Sequence, residues 1–360
     1  MEQGFETLLE APVMEDAPRI SLSVIIPVRD SSAHLRHCLE ALLASQCPPR
    51  EILVVDDGSM EPLPAVAYQP PCRILTSSQG IGSYAARNQG AATAEGEVLV
   101  FIDADVVVGP ETLGFIRRRM EEDPQLSAVF GCYDDAPADT GLVSQYRNLL
   151  HAYIHRTSRP QASTFWTGCG AIRREVFEEF GGFALDRQFM RDVELGIRLW
   201  RARRRILLDA SLLVKHRKRW TLGGMLRTDV LHRGAHWTEI VLHERSMPND
   251  LNLRFSERAC VVAVFSMVAV ATAAAGNLVF PARGVETLGL FLAAYAALNL
   301  RFFKFLGRVK GLRFAVRSVP LHFIYHFSCG LGFLIGLGRH LAERERLSRA
   351  GAAVQLQGGD

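Results

Sequence analysis

The sequence predicts an α/β domain with a mostly parallel central sheet, followed by C-terminal membrane-associated helices. Three observations carry this. Apolar, β-branched runs alternate with stretches of helical spacing over roughly the first 220 residues. The character changes after Arg258, because residues 259–282 contain no Asp, Glu, Lys or Arg. Charge divides along the same line: residues 251–360 carry 13 Lys and Arg against 5 Asp and Glu, a net of +8, while residues 1–250 net −5. The chain of 360 residues is 48% hydrophobic and nets +3, which excludes a disordered protein. Its 7 cysteines are odd in number and contain no CxxC, which argues against a disulfide scaffold or a zinc site.

The elements follow in order. Residues 1–19 are acidic and lack the apolar stretch of a signal peptide, so they are expected to be a flexible leader. Ser21–Val28 is a near-continuous apolar run, as in a strand buried on both faces. Leu35, Cys38, Leu39, Leu42 and Leu43 recur at helical spacing. Glu51–Val55, Arg73–Thr76 and Val98–Ile102 read as further strands, with a small-residue helix at Ser83–Ala94 between the last two. Amphipathic helices are expected at Leu142–Ile154 and Arg191–Arg204, which brings the domain to residues 20–220. Residues 221–257 set Leu222, Met225, Leu226, Val230 and Trp237 against Arg227, His232 and Arg233, the pattern of an interfacial helix.

Residues 258–340 are expected to be two or three hydrophobic helices, with 341–360 a polar tail. The uncharged runs 259–282 and 318–338 are long enough to cross a hydrocarbon core of about 30 Å. Between them, 284–306 is apolar apart from Glu286, Arg301 and Lys304. Six Lys and Arg in 301–317 read as a cytoplasmic loop. The first helix would then leave the cytoplasm and the second return. The third carries His322 and His326 and precedes a basic tail, so its orientation stays open between a span and an interfacial seat.

Open sheets bind ligands beyond the C-terminal ends of their strands. Pro27-Val28-Arg29-Asp30 follows the first strand with no GxGxxG, which counts against a dinucleotide-binding dehydrogenase. Asp56-Asp57-Gly58-Ser59 follows the second, and Asp103-Ala104-Asp105 follows VLVFI. Two carboxylates one residue apart at a strand end suit a hard divalent cation such as Mg²⁺ or Mn²⁺. Gly80-Ile81-Gly82 precedes a helix, where backbone N–H groups can approach phosphates. The basic cluster Lys215–Arg219 reads as a membrane-surface contact, since no aromatic-interleaved basic surface of a nucleic-acid binder accompanies it.

Together these blocks resemble the family 2 glycosyltransferases of GT-A fold. The resemblance rests on SLSVIIPVRD (21–30), VVDDGS (54–59), GIGSYAARNQGAATAEGEVLVFIDAD (80–105), GCGAIRREVFEEFGGF (168–183), RDVELGIRLW (191–200) and VKHRKRW (214–220). It implies sugar transfer from a nucleotide-sugar with inversion, UDP being the commonest carrier in that family. By the same resemblance Pro27, Asp56 and Asp57 bind the nucleotide. Asp103 and Asp105 form the DxD, with Asp105 the direct metal ligand. Gly168 and Gly170 expose backbone beside donor and acceptor, and Asp192 is the general base. Arg219-Trp220 resembles the end of the QxxRW motif of polysaccharide synthases, where the Arg holds the diphosphate and the Trp lines the acceptor site. Two departures stand out. Arg191 precedes the base where the family has an acid, and His216 stands where the motif has Gln. His216 is a candidate third metal ligand.

The expected protein is a Mg²⁺- or Mn²⁺-dependent inverting glycosyltransferase with its catalytic domain on the cytoplasmic face of the inner membrane. Its expected partners are a nucleotide-sugar donor, membrane lipids and a lipid-linked or glycolipid acceptor offering a hydroxyl or phosphate, with no nucleic acid. A processive polysaccharide synthase and a non-catalytic sugar-nucleotide-binding membrane scaffold are the alternatives.

Overall fold

The computed structural model describes residues 19–77, 80–185, 190–244, 247, 249–276 and 281–357. The expected leader therefore lies, except for Arg19, outside the described residues. Strand β1 (Leu22–Val28) is buried at all seven positions because parallel neighbours flank it, β2 (Glu51–Asp56) and β4 (Val98–Ile102). That is why its sequence does not alternate. Strand β3 (Cys72–Thr76) extends the parallel set on the far side of β2. Four strands not separately predicted complete the sheet: β5 (Val106–Val108), β6 (Leu126–Tyr133), β7 (Cys169–Arg173) and β8 (Arg205–His216).

The order across the sheet is β3-β2-β1-β4-β7-β6-β8-β5. The pairing β6·β8 is parallel, while β7 runs antiparallel to β4 and β6, and β5 runs antiparallel to β8. The chain steps outward from β1 to β2 and β3 and returns on the other side at β4. The sheet thus has a crevice where β1 and β4 end, next to Asp103.

Helices cover both faces. One core packs helices α1 (Ser32–Leu43) and α3 (Thr112–Glu122) on Val98, Val100 and Ile102 of β4. The other packs α2 (Ser83–Thr93), α4 (Leu142–Arg156), α5 (Arg174–Glu179) and α6 (Arg191–Arg201) on Leu99 and Phe101. Alternate residues of one strand serve opposite cores, as the pleat requires.

The expected interfacial stretch folds as α7 (Leu222–Arg227), a π-helical turn over Thr228–Gly234, and α8 (Ala235–His243). Helices α9 (Phe255–Ala275), α10 (Pro281–Lys310) and α11 (Leu312–Gln357) follow. All three contain stretches long and apolar enough to cross a membrane. The expected basic loop 301–317 is instead helical, with only Gly311 between α10 and α11. Lys and Arg are good helix formers, so a charged connection need not be a loop. The expected polar tail likewise continues α11 as far as Gln357.

The hydrophobic half is not a separate body. Phe302 and Leu306 of α10 and Ala315, Leu321 and Tyr325 of α11 join Tyr146, Leu149 and Leu150 of α4 in one core. Helix α11 is the most deeply embedded: 44% of its most apolar window is buried, against 22% for α9 and 17% for α10. Glycines permit this. A Cβ on Gly332 would lie 2.7 Å from the Cα of Gly234, and one on Gly336 would lie 2.4 Å from the carbonyl oxygen of Ala235. Small residues four apart let α11 and the start of α8 meet backbone to backbone.

Polar side chains stitch the same region. Asn299 Nδ2 donates to the Tyr295 carbonyl, so Asn299 Oδ1 accepts from His322 Nε2 at 2.6 Å. His322 Nδ1 is then the acceptor for the hydroxyl of Tyr146 at 2.9 Å. Tyr295 Oη bonds His326 Nδ1, and His326 Nε2 lies 3.4 Å from Glu257. The Tyr146–His322–Asn299 chain satisfies its buried polar groups internally, as an apolar surrounding demands, while His326 Nε2 and Glu257 Oε2 make no hydrogen bond.

Candidate active site

Asp192 occupies the first turn of α6, and a Met190 with φ of 58° leads into it. A left-handed, non-glycine residue at this point is a local strain of about 1–3 kcal/mol that the surroundings must hold. The Asp192 carboxylate is buried yet supplied with donors. Oδ1 accepts from Tyr84 Oη at 2.8 Å and from the Val193 N–H at 2.9 Å. Oδ2 accepts longer bonds from the Thr167 hydroxyl and N–H, at 3.3 and 3.4 Å. Burial, and then the Asp192 charge, push the Tyr84 phenol well above its ordinary value, so it remains a donor. Arg191 does not pair with Asp192. Its guanidinium lies over the Tyr84 ring, 5.7 Å from the centroid, and also donates to the Leu185 carbonyl.

The thread 165–168 runs against β7 because Gly170 has no side chain: a Cβ there would sit 2.2 Å from the Trp166 carbonyl oxygen. Gly168 is similarly covered by the Trp166 ring. This close approach brings Thr167 to Asp192.

The two acids of Asp103-Ala104-Asp105 have separate surroundings. Asp103 is ion-paired through Oδ1 with the buried Arg87 of α2. Burial raises the Asp103 carboxyl above its usual range, Arg87 opposes this, and Asp105 adds to it. Burial would also raise Asp105, but His216, Lys218 and His34 outweigh it and hold the carboxyl below its usual value. Asp105 Oδ2 lies 3.5 Å from His216 Nε2. His216 arrives at the end of β8 through the pairing of Val106 with His216 itself.

The tautomer of His216 follows from its neighbour. Asn148 Nδ2 donates to the Ser144 carbonyl, so Asn148 Oδ1 faces His216 Nδ1 at 2.6 Å and makes it the N–H. With the proton on Nδ1, the imidazole form of His216 has its lone pair on Nε2, facing the Asp105 carboxylate. Two acceptors facing each other call for a proton or a cation between them. This suits a divalent cation held by Asp105 and His216 and completed by water and substrate phosphate. Of the three sequence-predicted ligands these two face each other, and Asp103 turns to Arg87. Among the described residues no group of three or more His, Cys, Asp or Glu side chains is gathered as a metal cage.

On the other side of the crevice, Asp57 is buried, and its oxygens accept the N–H groups of Ile81 at 2.5 Å and Gly82 at 2.9 Å. Asp57 thus fixes the Gly80–Gly82 turn. Asp56 lines an open cavity of about 680 Å³ at the ends of β2 and β3 with Ser59, Tyr68 and Thr76. Pro27 is buried in β1 opposite Val55.

A second cavity of about 250 Å³ opens between Asp192, His216, α4, the π-helical turn and α8. Trp220 lines it, held by its N–H to Ser144 Oγ at 2.6 Å. Arg219 does not: its side chain is 81% exposed, with Asp139 3.9 Å away. The sequence reading missed Arg87, Tyr84, Asn148, Thr167 and the buried pair Arg147–Asp229, 2.6 Å apart. Arg87 carried a signal, being a charged residue within a small-residue helix. Asn148 and Arg147 had none, since they sit in an unremarkable amphipathic helix. Buried His151 and His155 also belong to this wall. Burial holds both below the ordinary histidine value, His155 at about 4, so both stay neutral near pH 7.

A half-parallel sheet with acids at the ends of β2 and β4, continued by an acid on α6, defines the GT-A fold. Residues 23–181 match the family model for glycosyl transferase family 2. The O-antigen biosynthesis protein RfbC of Myxococcus xanthus is 29% identical over 242 residues, 60% of this chain and 18% of that protein. A pre-mycofactocin glycosyltransferase of Mycobacterium tuberculosis is 25% identical over 245 residues, 63% of this chain and 50% of that protein. The chain thus spans half or less of the length of these two relatives. Among solved structures, the mannosyltransferase PcManGT of Pyrobaculum calidifontis, in complex with GDP-Man and Mn²⁺, superposes with a TM-score of 0.58. It is 21% identical and covers 83% of this chain and 87% of its own, which supports a common fold.

Proposed function

We propose that this chain is a divalent-metal-dependent, inverting glycosyltransferase that moves a sugar from a nucleotide-sugar to a membrane-embedded or lipid-linked acceptor. UDP is the carrier we favour, because it is the commonest in the family. The observation that carries the reading is the buried Asp192 carboxylate, which lines a cavity roofed by the helices that dock on α11. A base there would face a hydroxyl delivered from the membrane side.

The chemistry follows from the groups present. Asp105 and His216 would hold Mg²⁺ or Mn²⁺, which supplies charge neutralisation for a departing nucleoside diphosphate. Tyr84 and Thr167 orient Asp192 so that an oxygen can take the acceptor proton as the hydroxyl attacks. The Gly80–Gly82 turn, fixed by Asp57, and the Asp56 cavity would receive the nucleotide. The basic residues of 301–317 favour a cytoplasmic catalytic side, since Lys310 and Arg317 sit beside the start of α4. The deep seat of α11 favours an interfacial helix over a third span. The exposed Arg219 gives the polysaccharide-synthase reading little support.

The test is nucleoside diphosphate release by membranes given a nucleotide-sugar panel, Mn²⁺ and extracted lipids. Asp192→Asn is expected to lower turnover by ~10²–10⁴-fold with donor binding kept. EDTA should abolish release and Mn²⁺ restore it. Undiminished turnover in Asp192→Asn would remove the base assignment, and resistance to EDTA would remove the metal.

A further inference from the structure

The cavity beside Asp192 has a basic end that the transfer chemistry above does not use. Arg147 is paired with Asp229, and both side chains are at least 94% buried, at 6% and 2% exposure. Arg233 stands one turn further along the π-helical segment and lines the same cavity. Among the described residues its side chain makes no hydrogen bond and no ion pair. Two guanidinium groups therefore share one carboxylate. Burial and the neighbouring Arg147 both disfavour the charge of Arg233, and Asp229 only partly offsets them.

Neutral donors are left over at the same place. The indole Nε1 atoms of Trp220 and Trp237 are buried in the cavity wall without an acceptor, and Trp237 is only 8% exposed. Asp192 lines the same cavity, but neither indole N–H is bonded to it. Buried donors without partners are uncommon and costly, by about 1–3 kcal/mol each. A fork of guanidinium donors plus two indole N–H groups from separate elements calls for an anion with several acceptor oxygens pointing in different directions. A tetrahedral phosphate matches it in charge and in diverging oxygens.

We infer that this end of the cavity is a phosphate subsite. Arg233, with the N–H groups of Trp220 and Trp237, grips a phosphate group of the acceptor while its hydroxyl faces Asp192. The inference rests on the reading of this cavity as the acceptor site. It adds the acceptor's chemical class: a molecule that carries a phosphate group as well as the free hydroxyl, entering where the π-helical segment and α8 dock on the apolar helix α11. Phosphate recognition here is separate from the donor's diphosphate, which belongs with Asp105 and His216.

The test is a binding measurement on the full-length protein in detergent, with no turnover needed. The probes are farnesyl phosphate, farnesol, inorganic phosphate and UDP with Mn²⁺, read by calorimetry. Wild type is expected to bind farnesyl phosphate at least ~10-fold tighter than farnesol. In Arg233→Gln that preference should fall to within about 2-fold, with UDP affinity unchanged. Arg233→Lys should keep part of the preference, and Trp237→Phe should reduce it. These two variants carry the test if Arg233→Gln does not fold. Displacement of farnesyl phosphate by inorganic phosphate would support a subsite open to any phosphate. Resistance to displacement would support a lipid-linked one. Equal affinity for the phosphate and the alcohol in wild type would overturn the inference, as would a preference that survives Arg233→Gln. A loss of UDP affinity in Arg233→Gln would also overturn it, by moving Arg233 to the donor. Since no reaction is measured, failure here leaves the Asp192→Asn turnover test independent.

Discussion

Asn148 shows how a single amide sets the chemistry of a site. Its Nδ2 is committed to the Ser144 carbonyl, so its oxygen can only accept, and His216 must carry its proton on Nδ1. That leaves a lone pair on Nε2, the nitrogen that faces Asp105. Removing such an outer partner typically weakens metal affinity by about 10–100-fold. Asn148→Ala is therefore expected to raise the Mn²⁺ concentration for half-maximal nucleoside diphosphate release by that order. A Mn²⁺ titration of the variant against wild type checks it, and an unchanged midpoint would separate His216 from the metal. Arg87 plays the parallel part for Asp103, pairing with its carboxylate and opposing the upward shift that desolvation causes. The strand-end acids were legible from their spacing alone. Their division of labour was not, because it depends on α2 and α4, which lie far from them in sequence.

Between elements, the decisive contact is that of α11 with the π-helical turn and α8. Gly332 and Gly336 are one helical turn apart and meet Gly234 and Ala235 at backbone distance. A leucine at position 332 would drive a Cβ to 2.9 Å from the Val230 carbonyl oxygen. Gly332→Leu is expected to destabilise the protein by at least about 1–3 kcal/mol, the usual cost of overpacking. Gly338→Leu is the control, since a Cβ there meets nothing within 4 Å. It should stay within about 0.5 kcal/mol of wild type. Thermal unfolding of both variants in detergent reads the difference, and equal midpoints would remove the glycine contact as a support. An amphipathic pattern and long uncharged runs announced the helices of this region. They did not announce that the segment 301–317 is helix rather than loop, because exposed Lys and Arg are compatible with either.

Across the molecule, the catalytic sheet and the apolar helices share one core through α4. Phe302, Leu306 and Tyr325 pack beside Tyr146, so the site and the apolar helices are mechanically one unit. The basic residues of α10 and α11 then lie on the same side as the sheet. If that side is cytoplasmic, Lys310→Cys in a background without the 7 native cysteines should react with an impermeant maleimide only after cells are opened. Labelling of intact cells would reverse the orientation.

The sequence alone determined the α/β class, the parallel strands and the carboxylates at their ends. It also determined the apolar helices, since each of these is written in local spacing and composition. Only the tertiary structure decided which carboxylate faces His216, what orients Asp192, and that Arg233 must share the Asp229 carboxylate with Arg147. Those outcomes depend on which distant side chains share a buried space, and burial is a property of the folded chain and not of any window of it.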